Sequence, residues 1–414
     1  MLQKEKVQIS FMSFLKFKFS LGEHLAADAK HNFKIDLIGA CTFSLFNVVF
    51  NQFYVPMAID AGASSMQVGV LAAAPAIGLI FSPLWTGWIE RSSPKAFTIF
   101  PNLVGRGLIL LPALFGAPWV FVMTALLFHF MMGIQAPAYA SLMTQVYPAQ
   151  FRGRLMGYVR VIMGLLMIPI AYFVGVWSDH YGSSGPLGAA AITGVISIII
   201  FYMIRVPKSP SVRSNATKRV SFKEQWQYAR QNKPLIIFLI ASSFSGFGNI
   251  LSQPLYQLIQ KERLALSFQE IGLARTTYFI CLLCAFFVIG ILIDKFPPEK
   301  IVLYGIAAFA VVPMLYGFSE SFPIVIIGSG IQGIGDAIWD IGILAYVFRL
   351  APGREATVFG LHLLLFGIRG TIGPLLSTGL ADVVPFSVML LAASLIGWIG
   401  VVIFARGIRK QKLV

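Results

Sequence analysis

Apolar residues along this chain fall into long runs separated by short clusters of charged and turn-forming residues. A bilayer core about 30 Å thick takes about 20 helical residues to cross, so each run predicts one spanning helix. Twelve can be placed, at 35–57, 66–89, 97–116, 118–142, 155–178 and 187–205, then at 234–258, 270–293, 300–317, 322–348, 356–380 and 386–405. Pro75, Pro101, Pro137, Pro169, Pro254 and Pro374 fall inside these runs. Membrane helices tolerate such residues, and the kinks they introduce help neighbouring helices slide or rock.

The charges between the runs give an orientation. Of the 32 Lys and Arg, 26 lie before span 1, in the even-numbered loops, in the segment between spans 6 and 7, or after span 12. Lys261 and Arg263 lie on the opposite side, and Arg106, Arg160, Arg275 and Arg369 lie within spans. By the positive-inside rule both termini and the central linker are cytoplasmic. The expected fold is therefore an all-α integral membrane protein with twelve transmembrane helices. The segments are a cytoplasmic N-terminal piece, 1–34, a six-helix bundle, 35–205, a cytoplasmic linker, 206–233, a second six-helix bundle, 234–405, and a tail, 406–414. Within the linker, Ser221-Phe-Lys-Glu224 has the form of a capping box opening a short amphipathic helix at the membrane surface.

Composition narrows the class further. Hydrophobic residues make up 57% of the 414 and charged residues 12%, about half the usual charged share of a soluble protein. A net charge of +15 suggests nucleic acid only when the basic residues gather on one aqueous face. Here they are spread through loops, so no nucleic-acid partner is expected. Cys41, Cys281 and Cys284 all sit inside apolar runs and imply no disulfide framework. Lys16 and Lys18 interrupt the apolar stretch near the N-terminus, so no cleaved signal peptide is expected. No metal cluster, nucleotide-binding loop or hydrolase triad is found, and neither an enzyme nor a cofactor is expected.

The chain repeats itself. Gly87-Trp-Ile-Glu90-Arg91-Ser-Ser-Pro-Lys95, between spans 2 and 3, is echoed by Gly290-Ile-Leu-Ile-Asp294-Lys295-Phe-Pro-Pro-Glu-Lys300 between spans 8 and 9. Phe43-Ser44-Leu-Phe46 with Gln52 matches Phe244-Ser245-Gly-Phe247 with Gln253 at a constant offset of 201. Arg152-Gly153-Arg154 with Gly157 has its counterpart in Arg354-Glu355 with Gly360. Two halves of like topology stacked in tandem are a recurrent transporter design.

These motifs resemble the major facilitator superfamily across essentially the whole chain. Its loop signature, a glycine, three residues, Asp-Arg and then basic residues, is matched closely by Gly290 through Lys295. The first copy has two intervening residues and Glu90 in place of Asp. The resemblance implies pseudo-symmetric bundles around a central cavity lined by spans 1 and 7. It also implies a cytoplasmic gate involving Gly87, Glu90, Arg91, Lys95, Arg152, Arg154, Gly290, Asp294 and Lys295. His129 stands where the superfamily's drug–proton antiporters carry an arginine, four residues before Gly133. Ile168-Pro169 replaces their Gly-Pro. Both departures weigh against a drug antiporter.

Ionisable groups in hydrocarbon are functional candidates by default. Span 10 holds the only deep acids in this reading, Asp336 and Asp340, at i and i+4, with Gln332 one turn before, so all three share a helix face. Trp339 is their neighbour. A carboxylate there can take a proton on one side of the membrane and release it on the other. Arg369 in span 11 lies at similar depth. It either tunes the two acids or forms a static ion pair with Asp336. Asn47, Asn51 and Tyr54 share a face of span 1, and Asn249, Gln253 and Tyr256 share a face of span 7. Amides and phenols suit a polar or amphipathic solute, or equally hold helices together. Arg106 and His129 complete the candidates for the cavity wall, although each also reads as a packed interhelical residue.

The expectation is a monomeric secondary active transporter of the cell membrane. It moves a small solute by alternating access, as a symporter or antiporter coupled to protons. An uncoupled facilitator or exchanger, and a sensor or scaffold that no longer transports, are the alternatives.

Overall fold

The computed structural model describes residues 26–82, 85, 88–89, 93–206, 222–293, 295–318, 320–350 and 355–411. Gly87, Glu90, Arg91, Asp294 and Ser221 lie outside them. The described chain is helical throughout its ordered elements. In the first half these are α1 (Ala27–Asp60), α2 (Ser65–Ile80), α3 (Pro94–Phe115), α4 (Pro118–Val146), α5 (Ala149–Tyr181) and α6 (Ser184–Tyr202). A linker helix, Phe222–Gln231, precedes α7 (Lys233–Arg263), α8 (Phe268–Leu292), α9 (Pro298–Phe318), α10 (Phe322–Leu350), α11 (Glu355–Gly379) and α12 (Phe386–Gln411). Among the described residues eleven helices are long and apolar enough to cross a membrane. The other, α2, has 16 described residues, which at 1.5 Å each reach about 24 Å.

Local chemistry explains several boundaries. Ser64 and Gln67 form a reciprocal capping box, with Gln67 N–H donating to Ser64 Oγ at 3.3 Å and Ser64 N–H to Gln67 Oε1 at 2.9 Å. Ser267 and Glu270 repeat it at the start of α8, at 3.1 and 2.9 Å. The turn before each box holds a positive-φ residue, Gly62 at 93° and Ala265 at 46°. A side chain in that region is uncommon, so the same turn is preserved in both halves even where glycine is not.

α1 begins eight residues before the expected span. Asp36 therefore lies well within the helix and not at its edge, 6% exposed, and accepts a hydrogen bond from the Tyr147 hydroxyl at 2.8 Å. The expectation that α10 carries the only deep acids is corrected by this residue. α1 also contains a π-helical turn at Val49–Phe53, and α7 ends in another at Ile259–Arg263.

Within the first half α1 packs on α5 and α6, α4 on α2 and α3, and α3 on α6. Within the second half α7 packs on α9, α11 and α12, α10 on α8 and α9, and α9 on α12. The halves meet where α5 crosses α8 and α2 crosses α11. Both crossings are closest at the end away from the linker. A Cβ on Gly69 would collide with the Thr378 side chain, and one on Gly175 with the Phe268 carbonyl, so only glycine permits the approach. The Asp179 carboxylate accepts the N–H groups of Phe268 and Gln269, each at 2.7 Å, capping the start of α8 from the opposite half. Lys261 pairs with Asp60 at 3.0 Å across the same boundary. Toward the linker end α5 and α8 part, since Gly157 and Gly290 have open space where a Cβ would be and Arg160 and Val161 are exposed, whereas α2 and α11 stay in contact as far as Ile80 and Gly367.

Candidate functional site

Between the far-end seal and the middle of the bundle lies a polar cavity of about 200 Å³. α1 contributes Asn51 and Gln52 to its wall, and α7 contributes Gln253, Tyr256, Gln257 and Gln260. Arg275 and Tyr278 enter from α8, and Val312 and Tyr316 from α9. α10 supplies Gly328, Ser329, Gln332 and Asp336.

The spacing of these residues is helical logic. Gln253, Tyr256, Gln257 and Gln260 are set three or four apart, as are Arg275 and Tyr278, and Ser329, Gln332 and Asp336. Each series therefore presents one face. The cavity binds its wall together weakly. Asp336, midway along α10, accepts the Tyr278 hydroxyl proton at 2.9 Å and a Gln332 amide N–H at 3.2 Å. Gln260 donates to the Tyr316 hydroxyl at 3.2 Å, and the Tyr256 and Tyr316 rings lie 4.4 Å apart. Tyr256 Oη, Gln257 Oε1, Arg275 Nε and Gln332 Oε1 are buried without a partner. Orphaned polar atoms are rare in finished interiors, and four on one cavity wall are what a solute would satisfy.

Of the residues expected on that wall, Asn51, Gln253, Tyr256, Gln332 and Asp336 are there. Asn47 and Asn249 are not among its lining residues, although Asn249 Oδ1 is also buried without a partner. Tyr54 is a correction. It is 2% exposed and donates to the Phe121 carbonyl at 2.9 Å, inside the first half. The π-helical turn is the reason: its hydrogen bonds span i→i+5 in place of i→i+4, which puts an extra residue into the turn and rotates Tyr54 off the face that carries Asn51.

Arg106 is a second correction. It donates to Ser197 Oγ at 2.5 Å and to the Gly194 carbonyl at 3.3 Å, with its guanidinium 4.1 Å from the Phe43 ring centroid. It ties α3 to α6 and α1. His129 packs against Phe50 and Phe128 at ring distances of 5.6 and 5.2 Å. Trp339 faces Phe309 and His362 at 5.8 and 5.6 Å. Each of these side chains fills a core rather than the cavity.

The expected pairing of Arg369 with Asp336 is not formed. Arg369 is 6% exposed and donates to the Ser242 carbonyl of α7 at 3.2 Å. α11 lies against α2 and α7, whereas α10 lies against α8 and α9, so equal depth does not bring the two groups together. Asp340, one turn from Asp336, is exposed toward the linker end. It lies within electrostatic reach of Arg160 of α5, in the other half.

Two of the described gate candidates bond within the first half. Lys95 donates to the Ile204 carbonyl at 2.8 Å. Arg152 donates to the carbonyls of Thr144 and Tyr147, at 3.0 and 3.3 Å, capping α4. Arg154 has a partner, and Lys295 is exposed.

Sequence reasoning passed over Arg275, Tyr278, Gln257, Gln260, Tyr316 and Ser329 as cavity residues, and Asp36 and Asp179 as structural acids. The signal for the first pair was present: an arginine inside an apolar span, followed one turn later by tyrosine.

Solved transporters share this arrangement. A mutant of the nucleoside transporter NupG covers 91% of this chain and 99% of its own at TM-score 0.73 and 14% identity. A bacterial homologue of the human lysosomal transporter Spinster, in an inward-facing, unoccupied conformation, covers 93% and 98% at TM-score 0.66 and 12% identity. At these identities the likeness is one of fold. By sequence, the multidrug efflux pump SdrM of Staphylococcus aureus (strain N315) is 29% identical over 118 residues, 27% of this chain. The chain thus spans a quarter of the length of that relative, 25%. The Major Facilitator Superfamily profile matches residues 37–259 and again 238–412. Covered twice by that profile along nearly its whole length, this multi-pass membrane chain belongs to the Major Facilitator Superfamily.

Proposed function

We propose that this protein is a secondary active transporter that moves a small polar solute by alternating access and couples it to protons. Twelve spans in two bundles, 35–205 and 234–405, rock about the central cavity, with both termini and the linker in the cytoplasm. The observation that carries the reading is a polar cavity at the boundary of the halves, beside helices α5 and α8 that are packed together at the far end and open toward the linker end. On this reading the closed end faces outward and the arrangement is the inward-facing state. Asp336 is the proton carrier. It sits on the cavity wall midway through the membrane, and its hydrogen bonds come from the neutral Tyr278 and Gln332. Without Arg369 beside it, the static-pair reading loses its basic partner. Transport is supported by membership of a transporter superfamily.

The test uses thiol accessibility, which needs no known cargo. Met66 Cε lies 3.5 Å from where a Gly379 Cβ would be, so Met66→Cys with Gly379→Cys should cross-link the far end. This is done in a background with Cys41, Cys281 and Cys284 replaced. A reporter, Gly157→Cys, is labelled with a membrane-impermeant maleimide at the linker end. Cross-linking is expected to raise the labelling rate, because the linker end can no longer close. Labelling indifferent to the cross-link would refute alternating access. The ratio of cross-linked to free rates is expected to change with pH, and Asp336→Asn to flatten that change. A pH response that survives the substitution unchanged removes Asp336 from the coupling.

A further inference from the structure

Resting on the transport reading, the cavity wall also narrows the chemistry of the cargo. Arg275 stands seven residues into α8, roughly 10 Å along the helix at 1.5 Å per residue, and faces the cavity. A guanidinium stays charged at any physiological pH, and a charge inside the membrane is costly unless paired. Its one hydrogen bond is long, from Nη2 to Gln260 Oε1 at 3.4 Å, and its Nε is buried without a partner. Among the described residues no carboxylate is within ion-pair distance. The nearby ion pairs use other cations, Lys261 with Asp60 and Arg263 with Glu320. Asp336 is turned to Tyr278 and Gln332 instead.

The other buried arginines show what a structural role looks like here. Arg106 and Arg369 also have a buried Nε without a partner, but Arg106 has a hydroxyl, a carbonyl and two aromatic faces around it. Arg369 lies against the α7 backbone, donating to one carbonyl and filling the space beside Gly246. Arg275 alone of the three opens on the cavity. Asp336 apart, the surrounding groups are neutral hydrogen-bonding ones. Tyr316 accepts from Gln260, which leaves its own proton free to donate, and the Tyr256 hydroxyl has no partner.

We infer that Arg275 is the anion-binding residue of the cavity and that the cargo is a small organic monocarboxylate. Its carboxylate lies on the guanidinium fork, and its remainder meets the amides of Gln257 and Gln332. Arginine binds carboxylates through two parallel N–H bonds. With Asp336 carrying its proton, Arg275 is the single charge among the described lining residues, which fits a monoanion. A phosphate group, carrying about 1.5 to 2 negative charges at neutral pH, would be left only partly compensated.

The full-length protein in detergent micelles provides the test. Its thermal unfolding is followed with sodium lactate, pyruvate, butyrate and benzoate, with the matching primary amides, and with inorganic phosphate, all at constant ionic strength. A ligand that binds the folded state raises Tm with concentration. At least one carboxylate is expected to give a saturable rise that its amide and phosphate do not. Arg275→Gln is expected to weaken that response roughly 10- to 100-fold, the usual weight of a charged hydrogen bond. Arg275→Lys, which keeps the charge and loses the fork, should fall between. Carboxylates that never shift Tm, amides or phosphate that act equally well, or an undiminished response in Arg275→Lys would each overturn the inference. If Arg275→Gln does not fold, the wild-type panel and the lysine variant still decide. Should the far-end cross-link govern linker-end labelling while carboxylates are ignored, only the cargo class fails; if the cross-link has no effect, the transport reading itself fails.

Discussion

Two tyrosines that look alike in sequence do different work, and they separate the cavity from the core at the scale of single residues. Tyr54 donates to a buried carbonyl within the first half, whereas Tyr278 donates to Asp336 on the cavity wall. Removing a buried hydroxyl whose partner is a carbonyl costs about 0.5–1.5 kcal/mol. Tyr54→Phe is therefore expected to lower Tm by that weight and to leave the pH response of linker-end labelling unchanged. Tyr278→Phe should do the reverse: it removes the hydroxyl that holds the Asp336 carboxylate and so shifts the pH at which labelling changes, with little loss of stability. A common effect of both substitutions on the pH response would deny Asp336 its role. Arg369 belongs with Tyr54 in this division. Depth along a helix can be counted from sequence, but the direction a side chain takes depends on which neighbour the helix meets.

At the scale of elements, the seal between the halves is made by helix ends. Asp179, near the end of α5, caps the first N–H groups of α8, where unpaired donors and the helix dipole both favour a carboxylate. Losing an N-terminal cap costs about 0.5–2 kcal/mol. If that loss falls on the closed far end, its population relative to the open one drops roughly 2- to 30-fold. Asp179→Ala should accordingly cut the yield of the Met66→Cys and Gly379→Cys cross-link, and an unchanged yield would place the seal elsewhere. Most of the element plan was legible beforehand, because twenty-residue apolar runs leave few alternatives and the paired turns and tandem motifs announce the repeat. Asp179 was not, since its partner lies 89 residues away in another half. Tyr54 was misplaced because a π-helical turn leaves no mark in hydrophobic periodicity. Arg275 and Tyr278 were within reach: one turn apart in an apolar span, they needed only the step from counting an arginine to asking what it faces.

On the proposed alternating-access reading the molecule must also close its linker end, and the charges there offer a means. Arg160 of α5 is exposed in the first half, and its charge reaches both Asp340 of α10 and Tyr139 of α4. The described groups therefore set a cation of one half within electrostatic reach of a carboxylate of the other. Rocking the far end open brings α5 and α10 together, and the two charges then approach in a less watery space where their attraction grows. A contact made in one state and absent from the other biases the equilibrium by its differential energy. Arg160→Glu places like charges on the two halves and is expected to disfavour the linker-closed state, raising maleimide labelling of Gly157→Cys. Asp340→Arg should do the same with the opposite sign of charge. Combining the two restores an attractive pair in swapped positions and should return labelling toward the parent value, which neither single change can do if the residues act independently. Additive effects in the double variant, with labelling higher than in either single one, would show that Arg160 and Asp340 do not meet when the linker end closes.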